Sequence, residues 1–181
     1  VFIMAKVKEY PESNYKAIFS DGKTYRIAID ETKPITKLPY PEFLDVDIFG
    51  FGGLCNGGCS YCYLSGSKKG NFVQDAVDKI KDYFGSLAEH DRPFQVALPG
   101  SGEGYLHPDF LEILKSFSDL GITPNYTTNG MWVSEDWRSI EVMMDATKKY
   151  CGGVAVTCHP HLEDFWAVAL KWLKDYGIRT N

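Results

Sequence analysis

With 181 residues, 44% of them hydrophobic and 24% charged, the chain has the composition of a folded protein with a sizeable core, which excludes a disordered or fibrous class. A net charge of −5 and a pI near 5.4 leave no basic field, so large nucleic acids are disfavoured as partners. No run approaches the roughly eighteen apolar residues that a bilayer span requires, and residues 1–4 are too short an apolar start for a signal peptide; the expected location is cytoplasmic, with no membrane partner.

In chain order, residues 14–29 hold two β-rich runs, YKAIFS and KTYRIAI, around Asp21-Gly22, a dipeptide suited to a tight hairpin turn. Pro34, Pro39 and Pro41 then interrupt regular structure, which predicts an N-terminal hairpin and connector over 1–40 and a main unit over 41–181. Residues 43–49, FLDVDIF, read as a strand that places Asp45 and Asp47 on one face and ends at a glycine- and cysteine-rich loop.

Beyond the loop, Val73, Val77, Ile80 and Phe84 recur at helical spacing with Gly85 as the stop. Residues 94–98 predict a strand that runs into a second glycine-rich turn, which contains Ser101-Gly102-Glu103. Phe110, Leu111, Leu114 and Phe117 mark a helix closed by Gly121, and residues 122–128 a strand ending at Asn129-Gly130. A third helix is predicted over 136–150, a strand over 154–158, a fourth helix over 162–176 capped by Gly177, and a fifth strand from Ile178. Strand and helix alternate four times, the pattern of a parallel sheet, in which ligands bind at the carboxyl ends of the strands.

The chemistry concentrates in residues 50–63, GFGGLCNGGCSYCY. Cys55, Cys59 and Cys62 are spaced C-x3-C-x2-C, and five cysteines in all is an odd number that argues for metal or redox use over a disulfide framework. Three thiols in one short loop select soft metals, and they stop one short of the four ligands of a structural zinc site. The same spacing places the cysteines on one face of a helix, but Gly52, Gly53, Gly57 and Gly58 would each cost that helix about 1 kcal/mol, so a tight loop is expected.

This loop, with Tyr61 before its last cysteine, resembles the signature of the radical S-adenosylmethionine (radical SAM) superfamily, C-x3-C-x-aromatic-C. The resemblance implies that Cys55, Cys59 and Cys62 hold a [4Fe–4S] cluster whose fourth iron is chelated by SAM. Ser101-Gly102-Glu103 stands where the family carries Gly-Gly-Glu, with serine for the first glycine; Thr128-Asn129-Gly130 is similar to its Thr-Asn-Gly; Thr157 matches a ribose-contacting position. Tyr61, Ser101, Gly102, Glu103, Thr128, Asn129 and Thr157 are thereby expected to bind the cofactor, with Glu103 as acceptor for the SAM ammonium.

The fold class so implied is α/β, a partial parallel (β/α) barrel cut short after about four βα units, with an N-terminal β-hairpin. The implied activity is reductive cleavage of SAM to a 5′-deoxyadenosyl radical that abstracts hydrogen from a peptide or a small molecule, with a flavodoxin or ferredoxin as electron donor. The alternative is a non-catalytic metal module, in which a distant Cys or His completes a zinc site or an electron-transfer cluster. Cys158, His159 and His161 sit beyond the fourth strand without an assigned role, and Cys151 reads as a packed thiol.

Overall fold

The computed structural model describes residues 5–38, 40–50, 53–62, 70–98 and 101–180. The apolar start at 1–4, Pro39, Gly52 and Tyr63 lie outside the described residues.

Strands β1 (Lys6–Tyr10), β2 (Tyr15–Ser20) and β3 (Lys23–Ala28) form an antiparallel sheet in the order β1-β2-β3. The β2–β3 hairpin turns as expected: Ser20 pairs with Lys23, and Asp21 and Gly22 take φ of 51° and 68°, both in the left-handed region a two-residue hairpin needs. β1 is an addition to the expected hairpin. Its sequence, KVKEY, reads as polar, yet Lys8 is buried; the ammonium donates to the Arg92 carbonyl and lies 4.8 Å from the centre of the Phe94 ring. The alkyl stem and the cation are both accommodated, so a lysine occupies an inward position.

The second sheet is parallel, β4 (Phe43–Asp45), β5 (Gln95–Leu98), β6 (Thr123–Thr128) and β7 (Gly153–Val156), in sequential order. Helices α1 (Ala76–Ser86), α2 (Phe110–Asp119), α3 (Trp137–Tyr150) and α4 (Glu163–Asp175) alternate with these strands. The four strands make a partial barrel whose sheet does not close on itself. One face carries Val96, Leu98, Tyr126, Val154 and Val156 into a core with Ile113, Leu114, Phe117, Met144 and Leu173 from the helices. Full burial of side chains of this size contributes about 1.5–3 kcal/mol each. Along α2 the buried residues Phe110, Ile113, Leu114 and Phe117 recur at three- and four-residue steps, the stripe that makes this segment a helix.

Helix starts and stops follow local chemistry. The Asp136 carboxylate accepts from the amides of Arg138 and Ser139 and so caps α3. Gly85 is a correction: it lies inside α1, which runs on to Ser86, and one glycine costs the helix less than the packing of Ile80 and Phe84 returns. Val73 is also outside the helix, which begins only after Asp75 at φ 54°.

The strand expected over 43–49 pairs only through Asp45. Beyond it, the Asp47 carboxylate accepts from the Phe49 amide, and Phe49 instead bridges to Phe72. The fourth strand ends at Val156, leaving Cys158 and His159 beyond it, and the expected fifth strand is a single bridge between Val154 and Thr180.

Candidate functional site

The loop after β4 is closed at its base: Gly50 donates to Asn71, and Val73 donates to Ile48. Its first turn presses against the turn after β5. A Cβ on Gly53, which sits at φ 53°, would fall 1.5 Å from the Ser101 carbonyl oxygen, and one on Gly102 would fall 2.4 Å from the Leu54 carbonyl oxygen. Backbone therefore meets backbone, and the Glu103 amide donates to the Leu54 carbonyl at 2.7 Å. Only glycine permits that approach.

Cys55, Cys59 and Cys62 are free, half-buried thiols on this loop. A Cβ at Gly57 would lie 3.5 Å from the sulfurs of both Cys55 and Cys59, so two of the three thiols flank one glycine. The Gly57 amide donates to the Cys55 sulfur at 3.4 Å, and the Asn129 side-chain amide approaches it at 3.9 Å. Burial pushes the Cys55 thiol up, and the neighbouring Cys59 and Cys62 add to the effect. Among the described residues, no three Cys, His, Asp or Glu side chains are drawn into one closed metal-binding group. The donor set nevertheless fits a thiolate-held cluster, since the thiols share one loop and N–H donors point at sulfur.

Glu103 is buried, and burial pushes its carboxyl up to about 7 against the opposing effect of two hydrogen bonds. One oxygen accepts from the Thr128 hydroxyl at 2.6 Å and the other from the Asn129 amide at 2.8 Å. Glu103 thereby ties the end of β5 to the end of β6. From there the network continues to the loop: Asn129 donates to the Asn56 side-chain oxygen at 3.0 Å, and Asn56 donates to the Tyr105 hydroxyl. Asn56 and Tyr105 were not singled out in the sequence, although Asn56 lies between the first two cysteines.

The other expected site residues gather at the same strand ends. The Ser101 hydroxyl donates to the Asp47 carboxylate at 2.7 Å, while the Thr157 amide donates to the Thr128 carbonyl at 2.8 Å. Asp45 stays on β4, level with Ala97, whereas Asp47 accepts from Ser101 and the Phe49 amide; both are exposed, and their partners differ. The Tyr61 hydroxyl shares a 2.8 Å hydrogen bond with His159 Nδ1, and His161 Nε2 donates to the Gly57 carbonyl at 2.9 Å. Burial, with His161 close by, holds the His159 imidazole below its ordinary range. Cys151 is the packed thiol expected, pushed up to about 12 by burial. Below the strand ends, the inner sheet face borders a cavity of ≈ 350 Å³ lined in part by Gln95, Ala97, Asn125, Thr127 and Ala155.

The family model described as the radical SAM superfamily matches residues 50–181. The fold is similar to the crystal structure of Streptococcus suis SuiB bound to S-adenosylmethionine, at 13% identity and TM-score 0.67, over 98% of this chain and 54% of that one. A second SuiB structure gives 14% identity and TM-score 0.64, over 98% and 53%. BtrN in complex with AdoMet and 2-DOIA gives 20% identity and TM-score 0.50, over 69% and 48%. The chain spans about half the length of these structures. No curated protein matches it.

Proposed function

Because the chain belongs to the radical SAM superfamily, we propose that it is an enzyme that uses S-adenosylmethionine at an iron–sulfur centre held by Cys55, Cys59 and Cys62. The observation that carries this reading is the seating of a three-thiol loop against the carboxyl ends of parallel strands, through Leu54–Glu103 and Asn56–Asn129 contacts. When bound, the cluster and SAM together supply one-electron cleavage of a sulfonium C–S bond, giving methionine and a 5′-deoxyadenosyl radical.

The chain's own residues position the reactants. The Gly57 amide and the Asn129 side chain donate to the Cys55 sulfur, an arrangement that favours the thiolate. Tyr61, Ser101, Gly102, Thr128, Asn129 and Thr157 offer ring, hydroxyl and backbone groups to SAM. Glu103 fixes Thr128 and the Asn129 backbone, and its carboxylate keeps acceptor capacity for the SAM ammonium. The inner sheet face, lined by amides, a threonine and alanine, receives the substrate, a peptide or a small molecule. A flavodoxin or ferredoxin supplies the electron, and the cytoplasm is the proposed location.

Reconstitution with iron and sulfide under anaerobic conditions tests the ligand assignment. Cys59→Ala is expected to lose the iron and acid-labile sulfide that the parent chain takes up, and Cys151→Ala to keep them. Equal loss in both variants, or tight zinc without iron in the parent, would overturn the reading.

A further inference from the structure

The segment after β7 carries two imidazoles that the proposed chemistry does not use, and both reach the cysteine loop across about a hundred residues of sequence: the separations are 98 for Tyr61–His159 and 104 for Gly57–His161. Resting on the reading of that loop as a cluster and SAM site, we propose that His159 and His161 are positioning residues: His161 braces the loop, and His159 sets the orientation of Tyr61. A carbonyl only accepts, so His161 must donate from Nε2 to Gly57, which lies between Cys55 and Cys59. His159 presents Nδ1 to the Tyr61 hydroxyl, one residue before Cys62.

The brace is itself held rigid. Pro160 opens a single helical turn, Pro160–Leu162, and the His159 carbonyl accepts from the Trp166 indole at 3.0 Å and from the Leu162 amide at 2.9 Å. Tyr61, by contrast, is 61% exposed, and nothing so extensive buries its ring. Its hydroxyl bond to His159, with the His161 ring edge-on at 6.2 Å, restrains its rotamer together with a side-chain hydrogen bond to Cys59. An aromatic ring next to the last cysteine is useful to a bound cofactor only if its direction is fixed in advance.

The test uses four variants of the full chain. His159→Phe and His161→Phe keep a ring but remove the hydrogen bond; His159→Asn and His161→Gln place an acceptor near Nδ1 and a donor near Nε2. Alkylation of the metal-free chain by iodoacetamide, resolved by peptide, is expected to run about fivefold faster at Cys59 and Cys62 in the phenylalanine variants, the equivalent of one net hydrogen bond. Cys151 is expected to label at an unchanged slow rate, and the asparagine and glutamine variants to return Cys59 and Cys62 toward the parent rate. Unchanged labelling of the loop in both phenylalanine variants would overturn the proposal, as would Cys151 accelerating in step with the loop. In reconstituted protein, His159→Phe should change the electron paramagnetic resonance lineshape induced by SAM and His159→Asn should preserve it; identical spectra would overturn the role given to His159. A parent chain that takes up no iron would sink the functional reading, while the alkylation comparison still decides the brace.

Discussion

At the scale of single residues, Glu103 shows what a motif leaves open about geometry. The Ser-Gly-Glu turn was legible as a site because, after a strand, it stands where the radical SAM family carries Gly-Gly-Glu. The destination of the carboxylate was not, because it depends on Thr128 and Asn129, which lie 25 and 26 residues away. Burial raises the folded carboxyl from 4.5 to about 7, so folding takes up a proton between these values. The associated stability is complete below about 4.5 and is lost as pH rises through about 7, a difference of roughly 3 kcal/mol by linkage. Urea unfolding of the metal-free chain at pH 5 and pH 8 is expected to show that decline, and Glu103→Gln to flatten it. Equal pH dependence in parent and variant would mean that Glu103 does not carry the effect.

At the scale of elements, the parallel strands and their helices were readable because each has a strong local period, as in the Phe110 to Phe117 stripe of α2. β1 escaped, since Lys6, Lys8 and Glu9 hide an inward-facing position that only the Phe94 ring and the Arg92 carbonyl explain. The β4 strand was overextended for the opposite reason: the alternation of FLDVDIF continues past the point where Asp47 turns back on the Phe49 amide.

The cysteine loop is the element whose shape depends most on contacts distant in sequence. Gly53 and Gly58 both adopt positive φ, 53° and 60°, but only a Cβ on Gly53 meets another atom, the Ser101 carbonyl oxygen. Gly58→Ala is therefore expected to cost only the backbone strain, about 1 kcal/mol, and to retain iron uptake. Gly53→Ala must also part the loop from the β5 turn, and is expected to lower the melting temperature further and abolish uptake. Matching melting temperatures and matching iron contents for the two variants would refute this account of how the loop is seated.

At the scale of the molecule, the two sheets share a boundary residue. Phe94, directly before β5, packs with Tyr10, Tyr15, Ala17 and Phe19 and stacks on the Phe19 ring at a centroid distance of 5.6 Å. The sequence separated these regions by the prolines of the connector, and neither composition nor periodicity could reveal a contact so distant along the chain. Likewise, the convergence of the strand ends was implied by the βα order, while the His159 and His161 contacts to the loop were not, because two histidines around a proline have no periodic signal.

Whether this assembly of strand ends makes SAM reactive decides the proposed function. The most direct measurement is anaerobic incubation of the reconstituted chain with SAM and dithionite, following the cluster spectrum and 5′-deoxyadenosine together. The expected result is a [4Fe–4S] signature perturbed by SAM, with release of 5′-deoxyadenosine that Cys59→Ala abolishes. A cluster indifferent to SAM, with no 5′-deoxyadenosine formed, would contradict it.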